Sequence, residues 1–474
     1  MSIKKNNDTN VNASPAKHFF VQMLTRDIEL VDAILDLLDN CLDGAVRTNA
    51  TNATNSEVDP QFPYKGYWAR ITLDENHFRI EDNCGGMPLD VAKNYAFRFG
   101  RDNESRDENL ATVGVYGIGM KRALFKLGMD CNVRSNHIEG SFGVHIDKDW
   151  INGDKWTLEM DRNADVPAQH GVDIEVKDLH PQIQYQFDPN KGNFAEHIKA
   201  KVRDHYSYII KKGFSVSVSG QEIKPSTIQT LIPKDPALGS KIAPYIYKTV
   251  YDGVKVNLIM GMYERFPSET ELEDYVDGKR SKNTAGWTVV CNDRVVVSND
   301  TTHLTGWGEA GVPAYHSQFV MLSGLVEFTG NDARKLPITT TKRGVDLSSP
   351  LYAHVKEIMR EALKHFTSFT NRWKTQTDER AEMQTSAMAI DIREAFTTIS
   401  PELWQQVRKG LKGERFVPEL PTPKQEKTHL RLTFSKPKAD INSVIQYLFD
   451  PGMTPKPAEV GEAAFDWVLE RSKE

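Results

Sequence analysis

The stretch Glu29–Arg47, ELVDAILDLLDNCLDGAVR, places two opposed faces on one helix. At helical pitch Val31, Ile34, Leu35, Leu38, Leu42 and Ala45 form an apolar stripe that needs a core to meet. Asp32, Asp36, Asn40 and Asp43 fall within about 80° on another face, with Asp39 close beside them. Carboxylates stacked at this spacing repel one another, so a purely structural helix gains little from them. A site that holds a hydrated cation and activates a water would use them, because Mg²⁺ takes oxygen ligands and keeps much of its own water. The competing reading is a solvated acidic face. The helix alone favours neither, and the rest of the chain decides.

At 474 residues the chain exceeds one ordinary core, and about two to four domains are expected. Hydrophobic content of 39% and charged content of 26% describe a soluble globular protein. A net charge of −6 gives no global bias toward nucleic acid, while leaving room for a local basic surface. Cys41, Cys84, Cys131 and Cys291 show no paired spacing, which argues against a zinc site or disulfide framework and fits a reducing, cytoplasmic location. No apolar run approaches the roughly 20 residues that cross a bilayer. The polar N-terminus has no apolar h-region, so residues 1–17 read as a disordered arm and not as a signal peptide.

After HFFVQML and the acidic helix, ARITLDENHFRIEDN reads as a hairpin around a DEN turn, and residues 88–97 as a short helix. MKRALFKLG has helix character with a stop at Gly128. From 131 to 179 the alternation is strand-like in CNVRS, FGVHI, KWTLEM and VDIEV. The polar stretch 180–195 suggests a boundary. Beyond it, FAEHIKAKVRDHYSYII reads as a helix, and FSVSVSG, VKVNLIMGMY, WTVVCNDRVVV and QFVMLSGLVEFTG as strands. KLPITTTKRGVD is a polar loop before a strong amphipathic helix with Leu351, Val355, Ile358, Met359, Ala362, Phe366 and Phe369 on one face. Helical character weakens toward residue 411, a Pro/Lys-rich linker follows, and the last segment reads as a small α+β or helical appendage.

Three further stretches carry the chemistry that an acidic helix needs. Asp82-Asn83-Cys84-Gly85-Gly86-Met87 ends a strand; a buried Asp there can accept from an amino group such as that of adenine, and Gly lets a ring approach the backbone. Gly114, Gly117, Gly119 and Lys121 precede a helix and suit a phosphate cradle, with neither Walker nor Rossmann spacing. His170-Gly171-Val172-Asp173-Ile174-Glu175-Val176 is a Gly followed by an alternating strand. Alone, each is also read as an ordinary turn, flexible loop or strand.

In this order, over residues 29–176, the four motifs resemble the GHKL superfamily of gyrase-type and MutL-type ATPases, heat-shock chaperones, histidine kinases and MORC proteins. The segment from FRFGRDNES to MKRALFKLG looks closest to MORC-type and related stand-alone members. The resemblance implies an α+β fold with a Bergerat-type ATP-binding α/β sandwich over 18–185. It also implies a transducer-like α/β domain over 190–370. A helical region and linker over 371–420 and an appendage over 428–474 are expected to follow. It implies ATP and Mg²⁺ as ligands, with Asn40 on the metal, Asp36 in the position of the family's Glu general base, and residues 100–113 as a lid. The adenine and phosphate positions carried over are Asp43, Asp82, Gly86, Met87, Gly114, Tyr116, Gly117, Ile118, Gly119, Met120, Lys121 and Val172. Lys342 of TTTKRGVD is placed to reach the γ-phosphate, with Lys335 as runner-up.

Three departures bear on rate. Asp36 is one methylene shorter than Glu, Cys84 stands where the family has a Gly, and Val172 replaces a Thr. Together they favour ATP binding with slow hydrolysis. The implied partners are a second copy of the chain and a DNA or effector protein, with no membrane. The alternatives are a chaperone-like protein and a nucleotide-sensing scaffold with little turnover. A histidine kinase reading fails to find a helical hairpin around His18.

Overall fold

The computed structural model describes residues 16–52, 59–98, 110, 112, 117–234, 242–267, 284–339, 342–373, 387–407, 412–423 and 435–473. The chain divides into two compact units, 1–423 and 424–474.

The hairpin of β1 (Trp68–Leu73) and β2 (His77–Asp82) forms as the alternation dictates, with Asp74 accepting from the backbone of Asn76 and His77 in the turn. The inward positions of β2 are Phe78, Ile80 and Asp82, so the period-2 pleat sets a carboxylate at the end of an apolar row. β3 (Gly128–His137), β4 (Gly140–Ile146), β5 (Met160–Asp161), β6 (Gly171–Leu179), β7 (Ser215–Val218) and β8 (Gln221–Glu222) complete an eight-stranded sheet in the order β5-β4-β3-β6-β2-β1-β7-β8. All its pairs are antiparallel except β1 with β7.

The helices of this layer are α1 (Lys17–Arg26), α2 (Leu30–Asn52), α3 (Leu89–Val91, continued by a π-helical turn to Ala96), α4 (Gly119–Leu127), α5 (Lys148–Asn152), α6 (Pro181–Phe187) and α7 (Phe194–Lys211). Of the expected stripe of α2, Ile34, Leu35, Leu38, Leu42 and Ala45 are fully buried and share one core with Ala69, Ile71, Phe78 and Ile80, while Val31 is only partly buried against it. α4 ends at Leu127 with Gly128 at its C-cap.

That first core runs past the boundary expected near 180–195. Ile183 and Phe187 of α6, Ile198, Val202 and Ile209 of α7, and Val216, Val218 and Ile223 all bury in it. The polar residues Gln182, Gln184 and Gln186 are on the outer face of the short helix Pro181–Phe187, whose Ile183 and Phe187 point inward. The arm expected over 1–17 also ends earlier, because Lys17 is buried and its ammonium donates to the carbonyls of Trp150 (2.6 Å) and Lys155 (2.5 Å). Of KWTLEM only Met160 is in a strand.

Within the same unit lie β9 (Gln229–Pro233), β10 (Tyr245–Tyr251), β11 (Val254–Met262), β12 (Gly286–Cys291), β13 (Arg294–Asp300) and β14 (Leu322–Thr329). β15 (Ala387–Asp391), β16 (Gln405–Gln406) and β17 (Glu414–Phe416) follow the long helix Pro350–Arg372. The second large sheet has the order β13-β12-β14-β11-β10-β17-β16, while β9 pairs with β15. The helix Pro350–Arg372 buries its whole expected stripe in the core of this sheet.

Two expectations are corrected here. WTVVCNDRVVV is a hairpin and not one strand: Asn292 and Asp293 take φ of 45° and 65°, the two-residue turn whose twist matches antiparallel strands. The described part of 371–420 is mostly strand and loop, because β15 and β17 complete the edges offered by β9 and β10. A short helix remains at Ala395–Thr398.

The second unit contains helices Lys438–Leu448 and Pro457–Arg471, joined by an edge-to-face contact of Tyr447 and Trp467 at 5.8 Å. Among the described residues no helix is long and apolar enough to cross a membrane.

Candidate nucleotide site

The acidic face of α2 is neither open nor solvated. Asp36, Asp39 and Asp43 are only 5%, 1% and 1% exposed, and Asn40 alone among the acidic-face residues is fully on the surface. Three buried carboxylates on one helix require cations from elsewhere. Arg122 of α4 donates to Asp36 Oδ2 at 2.6 Å. Arg294 of β13 donates to Asp39 Oδ1 at 2.8 Å, and Tyr206 of α7 to the same oxygen at 2.5 Å. Lys342 donates to Asp39 Oδ2 at 3.1 Å and lies 3.8 Å from Asp36 Oδ1. Arg343 pairs with Asp32 at 2.8 Å. The repulsion expected along α2 is therefore compensated by four cations from three other segments.

These charges set the state of Asp39. Burial works against its ionised form, but Arg294, then Lys342, and the Tyr206 hydroxyl hold the carboxyl well below the usual range. Burial likewise works against the charge of Lys342, yet Asp39, Asp36 and Asp43 raise its pKa. Lys342 sits in a loop closed by the Ile338–Val345 bridge and by Lys342 N–H on Thr339 O at 2.9 Å. Its φ of 57° is uncommon for a side chain with a Cβ, and its ammonium is held over α2 by Asp39 and Asp36. Lys335 instead meets the exposed Asp252 on the surface.

At the other end of α2, Thr48 donates to Cys84 O at 2.8 Å and ties the helix to the turn after β2. Asp82 Oδ1 accepts from the backbone of Cys84 at 2.8 Å and of Val172 at 3.3 Å. Burial pushes the Asp82 carboxyl up to about 6, with the Cys84 N–H and the Cys41 thiol offsetting only part of it. Cys84 fits because the next two residues make the turn: Gly85 and Gly86 have φ of 96° and 74°. A Cβ on Gly86 would stand 2.1 Å from Asn136 O, so the backbone here comes as close to its neighbour as glycine permits. Met87 N–H donates to Ser135 Oγ at 2.7 Å.

Gly117, Ile118, Gly119, Met120 and Lys121 lead into α4, whose N-cap Ile118 supplies no side-chain acceptor. Gly119 packs on the acidic helix so closely that a Cβ would lie 3.3 Å from Asp36 Oδ2. The backbone at the start of α4, Asp36 and Lys342 are thereby brought together. Lys121 points inward: its ammonium donates to Ala96 O at 2.8 Å and to Gly117 O, so it orders the loop from behind. Gly114, Tyr116 and residues 100–113 other than Leu110 and Thr112 lie outside the described residues.

Asn40 is suited to Mg²⁺ arriving with a nucleotide. Its amide oxygen is on an exposed position beside carboxylates that already hold protein cations. Among the described residues no group of three or more His, Cys, Asp or Glu side chains is arranged to hold a metal by itself.

The reading from sequence missed Arg122, Arg294, Arg343 and Tyr206. Only Arg343 left a signal, as the second cation of TTTKRGVD, two adjacent positive charges facing a helix with several negative ones. The others come from segments far away in the chain, and no local pattern links them to α2.

Residues 28–173 match the family model of the Histidine kinase-, DNA gyrase B-, and HSP90-like ATPases. The chain thus carries a GHKL-type ATPase domain, which supports ATP binding and, in general, ATP hydrolysis. The match includes Asp36, Asn40, Asp82, the loop before α4 and Val172; Lys342 and Arg294 lie beyond it. No curated protein matches the chain.

Proposed function

We propose that this chain is a GHKL-type ATPase in which Mg²⁺–ATP binding and slow hydrolysis gate closure of a homodimer acting on DNA or a protein partner. The adenine amine meets Asp82, with Gly86, Met87 and Val172 around the ring. The phosphates lie on the backbone from Gly114 to Lys121, with Tyr116, Ile118 and Met120 shaping the loop. Asn40 holds Mg²⁺, which neutralises phosphate charge when bound, and Asp43 contributes to the field behind it. Asp36 orients and deprotonates the attacking water, and Lys342 meets the terminal phosphate.

The observation that carries this reading is the reach of Lys342, from the loop after the second sheet, to within 3.8 Å of Asp36 beside Gly119. A group from one layer that stands at the phosphate end of the other can report a triphosphate and ignore a diphosphate. The test is light scattering of the full chain with a non-hydrolysable ATP analogue or ADP. The analogue is expected to shift the chain to a dimer, ADP is not, and Lys342→Ala should lose the response while still binding nucleotide. Identical mass with both nucleotides would contradict gating.

A second reading is a nucleotide-sensing scaffold with little turnover. Arg122 on Asp36 Oδ2 favours it, because one carboxylate oxygen is already engaged and the side chain is shorter than Glu. Single-turnover hydrolysis separates the two: a phosphate burst supports the ATPase, and intact ATP after hours supports the scaffold. The four cysteines are buried and free, which supports a reducing, cytoplasmic setting.

A further inference from the structure

We infer that Asp39 is the positioning residue of the site: it aims Lys342 at the phosphate end and keeps that ammonium off Asp36. The inference rests on the ATPase reading above and assigns a role to a residue next to those the family resemblance singles out.

Asp39 Oδ1 receives two donors from two different elements, Arg294 Nε at 2.8 Å and Tyr206 OH at 2.5 Å. Those donors are themselves fixed. The Arg294 guanidinium lies 4.1 Å over the Tyr206 ring, and the Tyr206 hydroxyl shares its one proton between Asp39 Oδ1 and Leu35 O, which is 2.9 Å away, one turn back on α2. With Oδ1 held by two groups the plane of the carboxylate is set, and Oδ2 faces Lys342 at 3.1 Å. Asp36 Oδ1 is the competing acceptor at 3.8 Å, while Asp36 Oδ2 already belongs to Arg122. If Asp39 lost its charge, Lys342 would transfer to Asp36 Oδ1 and occupy the oxygen that a water needs. Arg294 adds the direction of the coupling. Its neighbour in the β12–β13 turn, Asn292, donates to Thr112 O at 3.2 Å, and Asp293 accepts from Lys212 at 2.6 Å. One turn of the second sheet is thus seated on the first layer at three points, two of them ion pairs, and of these the Arg294–Asp39 pair is fully buried.

The test uses the full chain and two readouts. The first is amine acylation followed by peptide mass spectrometry, with the rate at Lys342 taken against that at Lys335. Asp39→Asn should raise the Lys342 rate about tenfold and move its pH profile to lower pH, as loss of an adjacent carboxylate releases free amine. The second is hydrolysis. Asp39→Asn should lower kcat about 10- to 100-fold with KM for ATP nearly unchanged. Adding it to Lys342→Ala should then cost no more than Lys342→Ala alone, because both act through one ammonium. Tyr206→Phe removes one donor and keeps the ring, and it should raise Lys342 acylation about threefold if Asp39→Asn fails to fold. Unchanged acylation in both variants, or losses that multiply in the double variant, would overturn the inference. Absence of hydrolysis in the parent would count against the ATPase reading alone, leaving the acylation result to decide this one.

Discussion

Asp39 and Asp82 are both buried in the same domain, and their surroundings push them in opposite directions. Asp82 accepts from backbone N–H groups and a thiol, which only partly offset burial, so its carboxyl rises to about 6. Burial acts on Asp39 as well, but Arg294, Lys342 and Tyr206 outweigh it and hold the carboxyl far down. Neutral donors therefore surround Asp82 beside the C-terminal end of α2, and paired charges surround Asp36 and Asp39 nearer its start, beside the loop before α4. A nucleotide has the same polarity, with a neutral ring that offers an amine and a charged chain that needs cations and N–H dipoles. On the proposed reading, the two aspartates would meet the two ends of one ligand.

The largest effect is expected at the charged end. Gly117→Val with Gly119→Val should abolish ATP binding in calorimetry and lower the melting temperature, since Gly117 takes φ of 67° and Gly119 is already against Asp36, with circular dichroism checking that the fold is kept. Binding that survives would remove the phosphate loop from the account. Next in size is Asp36→Asn, expected to keep ATP bound and to reduce hydrolysis by about 10² to 10⁴-fold, because an amide takes no proton from water. Asp36→Glu should restore reach and raise the rate. Hydrolysis indifferent to both changes would place the base elsewhere.

Much of this site was legible in the sequence, and what was not has a physical reason. The stripe of α2, the hairpin ending in Asp82, the loop before α4 and the long helix after TTTKRGVD all follow from local periodicity and turn chemistry. The exposed place of Asn40 on α2 and the glycine turn at Gly85 and Gly86 are likewise features of one segment, while the roles proposed for them come from the resemblance. Of the cations that neutralise α2, Arg122 and Arg294 were not legible in this way, because they are 86 and 255 residues from their carboxylates, and Lys342, 303 residues away, was named only through the family resemblance. A pattern on a helix shows that compensation is needed and leaves open which side chains provide it. The β12–β13 hairpin was missed for a local reason: Asn292-Asp293 lacks the glycine that usually marks a two-residue turn. The strands β15 and β17 are short pieces whose state is decided by an open sheet edge and not by their own composition.

Stability sharpens the comparison further. Arg294→Leu leaves Asp39 buried with less compensation and should cost about 3–5 kcal/mol in chemical denaturation. The same loss at the neutral end, Asp82→Asn, should be smaller and should change sign with pH. Asp82 has a folded pKa of about 6, above its unfolded value, so the stability it contributes is full at low pH and is lost as pH rises through 6. Asp39 is depressed, so its contribution is present above the ordinary carboxylate range and is lost only in strong acid. Between pH 5 and 7 the Asp82→Asn variant should gain stability relative to the parent, while the deficit of Arg294→Leu stays flat. Parallel curves for the two variants would contradict the assignment of the two ends.

A smaller effect follows for binding. An adenine amine prefers an ionised acceptor, so ATP affinity should tighten by up to about tenfold from pH 5 to pH 7, and Asp82→Asn should abolish that trend.

The central claim is tested most directly by titration calorimetry of the full chain at pH 7.5 with Mg²⁺–ATP and Mg²⁺–GTP, for the parent and for Asp82→Asn. GTP carries the same triphosphate but a carbonyl where ATP has its amine. The account predicts that the parent binds ATP at least about tenfold tighter than GTP, and that Asp82→Asn loses this preference while retaining the weaker, phosphate-driven binding. Equal affinity for the two nucleotides in the parent, or a preference for ATP that survives Asp82→Asn, would contradict it.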